Sequence, residues 1–129
     1  MEIQNSSPNV NFGYSSSLKT LFKKGKLKIT KGFYGGELTL KNVSLEHLVP
    51  HSQGGKTELS NLVLATKENN NRRSNLPIKD FINVEHVQEY LKQFSGVITG
   101  NLNGDIYIQK IIETLKKMGV TIWTNFLNL

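Results

Sequence analysis

Apolar positions recur with two different periods along the chain, and the period changes mark its elements. In SSSLKTLFKKG, Leu18, Leu21 and Phe22 fall at helical spacing, the serines offer N-caps, and Gly25 supplies a stop. KLKITKGFYGGELTL alternates Leu27 and Ile29 with lysines and holds Gly32, Gly35 and Gly36, which predicts a basic hairpin with loose turns. NVSLEHLVP reads as a strand ending at Pro50, SQGG as a turn, NLVLAT as a short apolar strand, and KENNNRRSN as a short helix stopping before Pro77. Asn83 then caps VEHVQEYLKQF, where Val84, Val87, Leu91 and Phe94 recur at spacings of three and four. His86 lies near that apolar stripe and reads as a structural residue. After turn signals at Gly100 and Asn103-Gly104, residues 105–118 place Ile108, Ile111, Ile112, Leu115 and Met118 on one side, with Gly119 as C-cap. VTIWTNFLNL finishes as a strand, and residues 1–14 form an irregular lead.

Composition narrows what these elements can build. The 129 residues fit a single domain, with 1–14 as lead, 43–77 as a core and 78–129 as a helical extension. No apolar run approaches the roughly 20 residues that a membrane span needs, no basic-then-apolar N-terminal stretch marks a signal peptide, and an intracellular setting is the expectation. The absence of cysteine excludes disulfides and thiolate zinc, so no structural zinc is expected. The net charge of +6 suits a phosphate-rich partner, and its placement says more than its size. Seven lysines face two glutamates in the first 45 residues, a net +5. Standing alone, such a segment is ordinarily a solvated lysine face.

The chemistry concentrates in SLEHLVPHSQGGKTELSNLVLATKENNNRRSN. Phosphodiester hydrolysis requires an activated water, a cation to offset charge on the leaving oxygen, and donors that hold the phosphate in line. His47 is the candidate base, because imidazole titrates closest to neutrality. Glu46 and an asparagine of the following helix offer oxygen to a hard ion such as Mg²⁺. Neighbouring strand residues point to opposite faces, so the strand is expected to bulge or end at Glu46-His47. Taken singly, these residues are also explained as a polar, turn-rich loop; their joint order is not.

The ordered set Glu46, His47, Pro50, Gly54-Gly55, Asn61, Leu62-Val63-Leu64 and Asn70 resembles the HNH endonuclease family, whose core is the ββα-metal fold. The likeness covers about a quarter of the chain and is nearest to the cysteine-free HNH domain of RNA-guided nucleases, where Asn61 and Asn70 align with two asparagines without a gap. The resemblance implies that His47 is the general base, that Glu46 and Asn70 bind one Mg²⁺ or Mn²⁺, and that Asn61 ties the loop to the strands and helps orient the histidine. Arg73 lies three positions after Asn70, on roughly the same helical face, and is a better candidate for a phosphate contact than Arg72. Two departures stand out: the acid is glutamate where aspartate is more usual, and the zinc-binding cysteine pairs found in many members are missing. The relatives need no ligand at the position of His51, which reads as a surface histidine.

The expected architecture is therefore α+β: an N-terminal helix and basic hairpin, a ββα-metal core, two helices and a final strand. The function this implies is metal-dependent cleavage of nucleic acid, with DNA as the expected substrate and Lys23, Lys24, Lys26 and Lys28 as a backbone-binding group. The alternative is a catalytically degenerate module that keeps the scaffold and basic surface. A third reading is a nuclease held by an acidic inhibitor.

Overall fold

The computed structural model describes residues 18–123. The irregular lead, the serines before the first helix and residues 124–129 lie outside that range.

Residues 18–23 form the first helical segment. Two strands, β1 (Val43–His47) and β2 (Leu62–Thr66), pair antiparallel with Glu46 opposite Val63 and His47 opposite Leu62. Helix α1 (Lys67–Arg73) follows without a linker and contacts both strands. Thr66 makes this junction possible: its hydroxyl accepts from Asn69 N–H at 3.1 Å, satisfying a donor that the first helical turn leaves free. The expected order of strand, loop, strand and helix is thus present, within a mixed α+β chain. A single turn, α2 (Ile78–Phe81), which the apolar pattern does not signal, precedes α3 (Val84–Lys92). A two-residue hairpin, β3 (Ile98–Thr99) and β4 (Leu102–Asn103), leads into α4 (Gly104–Lys117). Asn83 and Asn103 cap α3 and α4 by accepting from His86 N–H and Ile106 N–H.

An isolated two-stranded hairpin is marginal in water, so β1–β2 must gain stability from its surroundings. Every residue of β2 is buried, as a strand covered on both faces should be. Its edge away from β1 is closed by two tyrosine hydroxyls and one backbone N–H rather than by a third strand. Leu64 N–H donates to the Tyr90 hydroxyl at 3.0 Å, and the Tyr107 hydroxyl donates to Leu62 carbonyl at 2.8 Å. The two hydroxyls lie 2.8 Å apart, and since the proton of Tyr107 is committed to Leu62, Tyr90 donates to Tyr107. Phe33 N–H donates to Leu64 carbonyl at 2.9 Å. Helices α3 and α4 and the glycine-rich segment therefore fix β2, with Phe33, Tyr90, Phe94 and Tyr107 packed in edge-on and tilted pairs beneath it.

Two expectations are corrected. The basic hairpin over 26–40 reduces to one bridge between Lys31 and Glu37, flanked by Leu38 N–H to Thr30 carbonyl at 2.8 Å and Gly32 N–H to Gly36 carbonyl at 3.0 Å, and the Gln93 carboxamide covers the outer edge of its first arm. The carboxamide oxygen accepts from Thr30 N–H and Lys31 N–H at 2.8 and 2.9 Å, and its nitrogen donates to Lys31 carbonyl. The final strand is absent from its described part, residues 120–123. Val120 and Ile122 are buried and Trp123 is exposed, so the alternation reflects docking on the core without a backbone ladder. Among the described residues, no helix is long and apolar enough to cross a membrane.

Candidate functional site

Strand β1 delivers Glu46 and His47 to the two sides of its end, as the strand period requires, and the strand stops at His47. Glu46 is buried, at 8% exposure, beneath α1. Its Oε2 accepts from the Tyr34 hydroxyl at 2.6 Å and from Arg73 Nη1 at 3.2 Å. Asn70, one turn before Arg73, faces the other carboxylate oxygen.

The Asn70 carboxamide has two orientations of the same shape, separated only by what they bond to. In one, Oδ1 accepts from Ser44 Oγ at 2.9 Å while Nδ2 donates to Glu46 Oε1 at 2.7 Å and Oε2 at 3.2 Å. In the other, Nδ2 donates to Ser44 Oγ and Oδ1 is turned toward Glu46 Oε1. Two acceptors that close repel each other unless a cation lies against both. The first orientation satisfies the chain by itself, and the second is the donor set a hard divalent ion needs. Among the described residues no three His, Cys, Asp or Glu side chains converge, so an ion here would be held by one carboxylate, one amide oxygen and water. That composition suits Mg²⁺ or Mn²⁺, which retain several waters.

His47 Nε2 lies 2.9 Å from Thr57 Oγ1, in a hydrogen bond whose direction follows the ring tautomer. The tautomer donating from Nε2 leaves Nδ1 with the free lone pair that a base requires. Burial pushes the His47 pKa down from the usual histidine value, the neighbouring His51 adds to this, and the Glu46 charge opposes it. That direction favours the neutral ring at pH 7. His51 itself is exposed, on the short helical turn His51–Gln53, with its ring centroid 6.0 Å from that of His47.

The loop between the strands is held by Asn61, which is buried. Its Oδ1 accepts from Val49 N–H at 2.8 Å, and its Nδ2 donates to Val49 and Lys56 carbonyls at 3.1 and 3.0 Å. Leu48 N–H donates to its carbonyl as well. Asn61 thus joins both ends of the loop directly after His47. The Gly-Gly turn has a steric cause: Gly54 has φ of 89°, and a Cβ on Gly55 would lie 1.7 Å from Val49 carbonyl oxygen.

Arg73 is placed differently from the expected phosphate contact. Its guanidinium is buried, at 2% exposure, and Nη1 also donates to His47 carbonyl at 3.0 Å while Nε donates to Leu76 carbonyl at 2.9 Å. Helical phase does put Arg73 on the face of Asn70, but that face meets Glu46, whose charge claims the guanidinium before any phosphate can. The tight turn that returns Leu76 to Arg73 holds Ser74 at φ of 47°, a conformation few non-glycine residues adopt. Arg72 is exposed and donates to Asn69 Oδ1 at 3.4 Å. Lys23, Lys24, Lys26 and Lys28 are all exposed, while Leu27 and Ile29 between them are buried.

Tyr34, Ser44 and Thr57 complete the constellation, and no sequence pattern singles them out. Tyr34 is buried, and burial, together with the Glu46 charge, raises its hydroxyl far above the ordinary tyrosine range, so it remains a donor at working pH. His86 packs its ring against Gly35, where a Cβ would lie 2.6 Å from Nδ1. That buried Nδ1 has no hydrogen-bond partner among the described residues. No protein-family model, curated protein or solved structure matches the chain.

Proposed function

We propose that the chain is a metal-dependent endonuclease of the HNH type, acting on nucleic acid and on DNA in particular. The observation that carries this reading is the convergence of Glu46 Oε1 and the Asn70 carboxamide, 2.7 Å apart and beside the strand end that bears His47. Glu46 and Asn70 would hold one Mg²⁺ or Mn²⁺, which when bound offsets charge on the leaving oxygen. His47, neutral and with one ring nitrogen free, takes the proton from the attacking water. Asn61 keeps the loop after His47 in place, and Thr57 holds the ring at Nε2, so the base meets the water in one orientation. The exposed lysines contact the sugar-phosphate backbone and hold the substrate without reading sequence. An acidic protein inhibitor would compete for that same surface.

One observation favours a second reading. Glu46 already accepts from Tyr34, Arg73 and, in one orientation, Asn70, and a carboxylate so satisfied can persist with no cation. On that reading the chain is a non-catalytic module binding nucleic acid through its lysines. Incubating plasmid DNA with the protein in Mg²⁺ and in EDTA separates the two: cleavage confined to Mg²⁺ supports the nuclease, and an intact plasmid in both, from folded protein, supports the module.

The lysine group carries its own expectation. Every phosphate that a lysine ceases to neutralise lowers the salt slope of log K by roughly 0.9 on duplex DNA. Replacing Lys23, Lys24, Lys26 and Lys28 by Ala should lower it by up to about 3.6 and weaken binding alike across sequences. An unchanged slope in filter-binding titrations would return these lysines to a solvated face.

The pH profile follows from the sign of the His47 shift. A base must be neutral to act, and a lowered pKa keeps it neutral to lower pH. The acid limb of kcat/KM should therefore lie below the ordinary histidine value of about 6.5. His51→Ala removes one of the causes of the lowering and should move that limb toward higher pH. An acid limb above about 6.5 in the unmodified protein would contradict the assignment of His47.

A further inference from the structure

Tyr34 belongs to the glycine-rich segment, outside the motif that carries the site, yet its hydroxyl makes the shortest contact to Glu46, 2.6 Å to Oε2. Its ring is wedged edge-on between Phe33 and Phe81, with centroids 5.2 and 5.0 Å away. Phe33 N–H is in turn fixed to Leu64 carbonyl. The hydroxyl is consequently aimed by packing rather than by its own freedom. Arg73 Nη1 approaches the same oxygen at 3.2 Å, and both donors leave Oε1 to Asn70.

We infer that Tyr34 is a positioning residue that, with Arg73, occupies Glu46 Oε2 and confines the carboxylate to one-oxygen metal binding, thereby setting which divalent ion the site accepts. This rests on the metal-dependent reading above. Small octahedral ions such as Mg²⁺ and Mn²⁺ are served by a single carboxylate oxygen plus waters, whereas Ca²⁺ takes more ligands and readily uses both oxygens of a carboxylate. A clamped Oε2 denies Ca²⁺ that second oxygen. The clamp also gives a reason for glutamate at position 46: the added methylene carries the carboxylate to the Tyr34 hydroxyl while Oε1 stays with Asn70.

Calorimetric titration with Mn²⁺ and separately with Ca²⁺ tests this in the unmodified protein, Tyr34→Phe, Glu46→Asp and Tyr90→Phe, each with its melting curve. The unmodified protein should bind Mn²⁺ more tightly than Ca²⁺. Tyr34→Phe keeps the ring and removes the donor, and should weaken Mn²⁺ binding by roughly 10- to 100-fold, the usual effect of removing a hydrogen-bond partner from a metal ligand, while changing Ca²⁺ binding far less. Glu46→Asp keeps the charge but withdraws it from the hydroxyl, and should narrow the Mn²⁺ preference in the same direction. Tyr90→Phe removes another buried hydroxyl, away from Glu46, and should lower the melting temperature without altering the preference. Retention of the original Mn²⁺ preference by folded Tyr34→Phe or Glu46→Asp overturns the inference alone. No Mn²⁺ binding by the unmodified protein overturns it together with the metal-dependent reading.

Discussion

His47→Ala should reduce plasmid cleavage by roughly 10²- to 10⁴-fold, the usual contribution of general-base catalysis, while leaving Mn²⁺ and DNA binding intact. The separation follows from the strand period. Glu46 and His47 leave β1 on opposite sides, so truncating the imidazole removes neither the carboxylate nor the Tyr34 and Arg73 donors that fix it. Glu46→Ala and Asn70→Ala should behave otherwise. Each removes an oxygen from the proposed ion, so activity should fall together with metal affinity and return in part at high Mn²⁺. Of the two, Asn70→Ala is the cleaner test, because Glu46→Ala also leaves the buried Arg73 without its counter-charge. A cleavage time course, calorimetry with Mn²⁺ and a melting curve for each variant check the pattern. Cleavage at the unmodified rate by folded His47→Ala would remove His47 from the mechanism.

Much of this arrangement is legible in the chain in one dimension, because it depends on local periods and caps. The apolar spacings in α3 and α4, the asparagines that begin them, and the run of apolar residues in β2 are decided within a few residues of sequence. Glu46, Asn61 and Asn70 stand out because their order, together with His47 and Pro50, resembles that of the HNH family. Tyr34 does not, since the contact with Glu46 spans a glycine-rich segment whose fold is set by Gln93 and Leu64, both far along the chain. The basic hairpin is shorter than its pattern suggests, one bridge between Lys31 and Glu37, and the distant Gln93 side chain that covers its outer edge leaves no local signal. Likewise, Tyr90 and Tyr107 look like ordinary helix aromatics, and only the closed edge of β2 shows why hydroxyls stand there. Arg73 is the instructive case. Helical spacing correctly puts it on the face of Asn70, but the same spacing brings it to the acid that Asn70 contacts, and a charge inside the fold outcompetes a phosphate outside it.

Arg73→Met should therefore act on stability before it acts on nucleic acid. The substitution retains much of the aliphatic volume but leaves Glu46 buried without its cation and the His47 and Leu76 carbonyls without their donor. Breaking a buried pair by removing one partner costs about 3–5 kcal/mol, which for a domain of this size lowers the melting temperature by roughly ten to twenty degrees. Glu46→Gln removes the opposing charge while retaining an acceptor for Tyr34. In the double variant, Glu46→Gln with Arg73→Met, no uncompensated charge remains inside. The double variant should therefore be more stable than the sum of the two single effects implies, with a coupling of about 1–3 kcal/mol in a denaturant cycle. Because Arg73 is enclosed, Arg73→Met assayed well below its melting temperature should leave the salt slope of DNA binding unchanged, unlike the lysine variant. Additive effects in the cycle, or a salt slope reduced by about one in folded Arg73→Met, would show that the guanidinium faces phosphate and that its pairing with Glu46 does not govern the site.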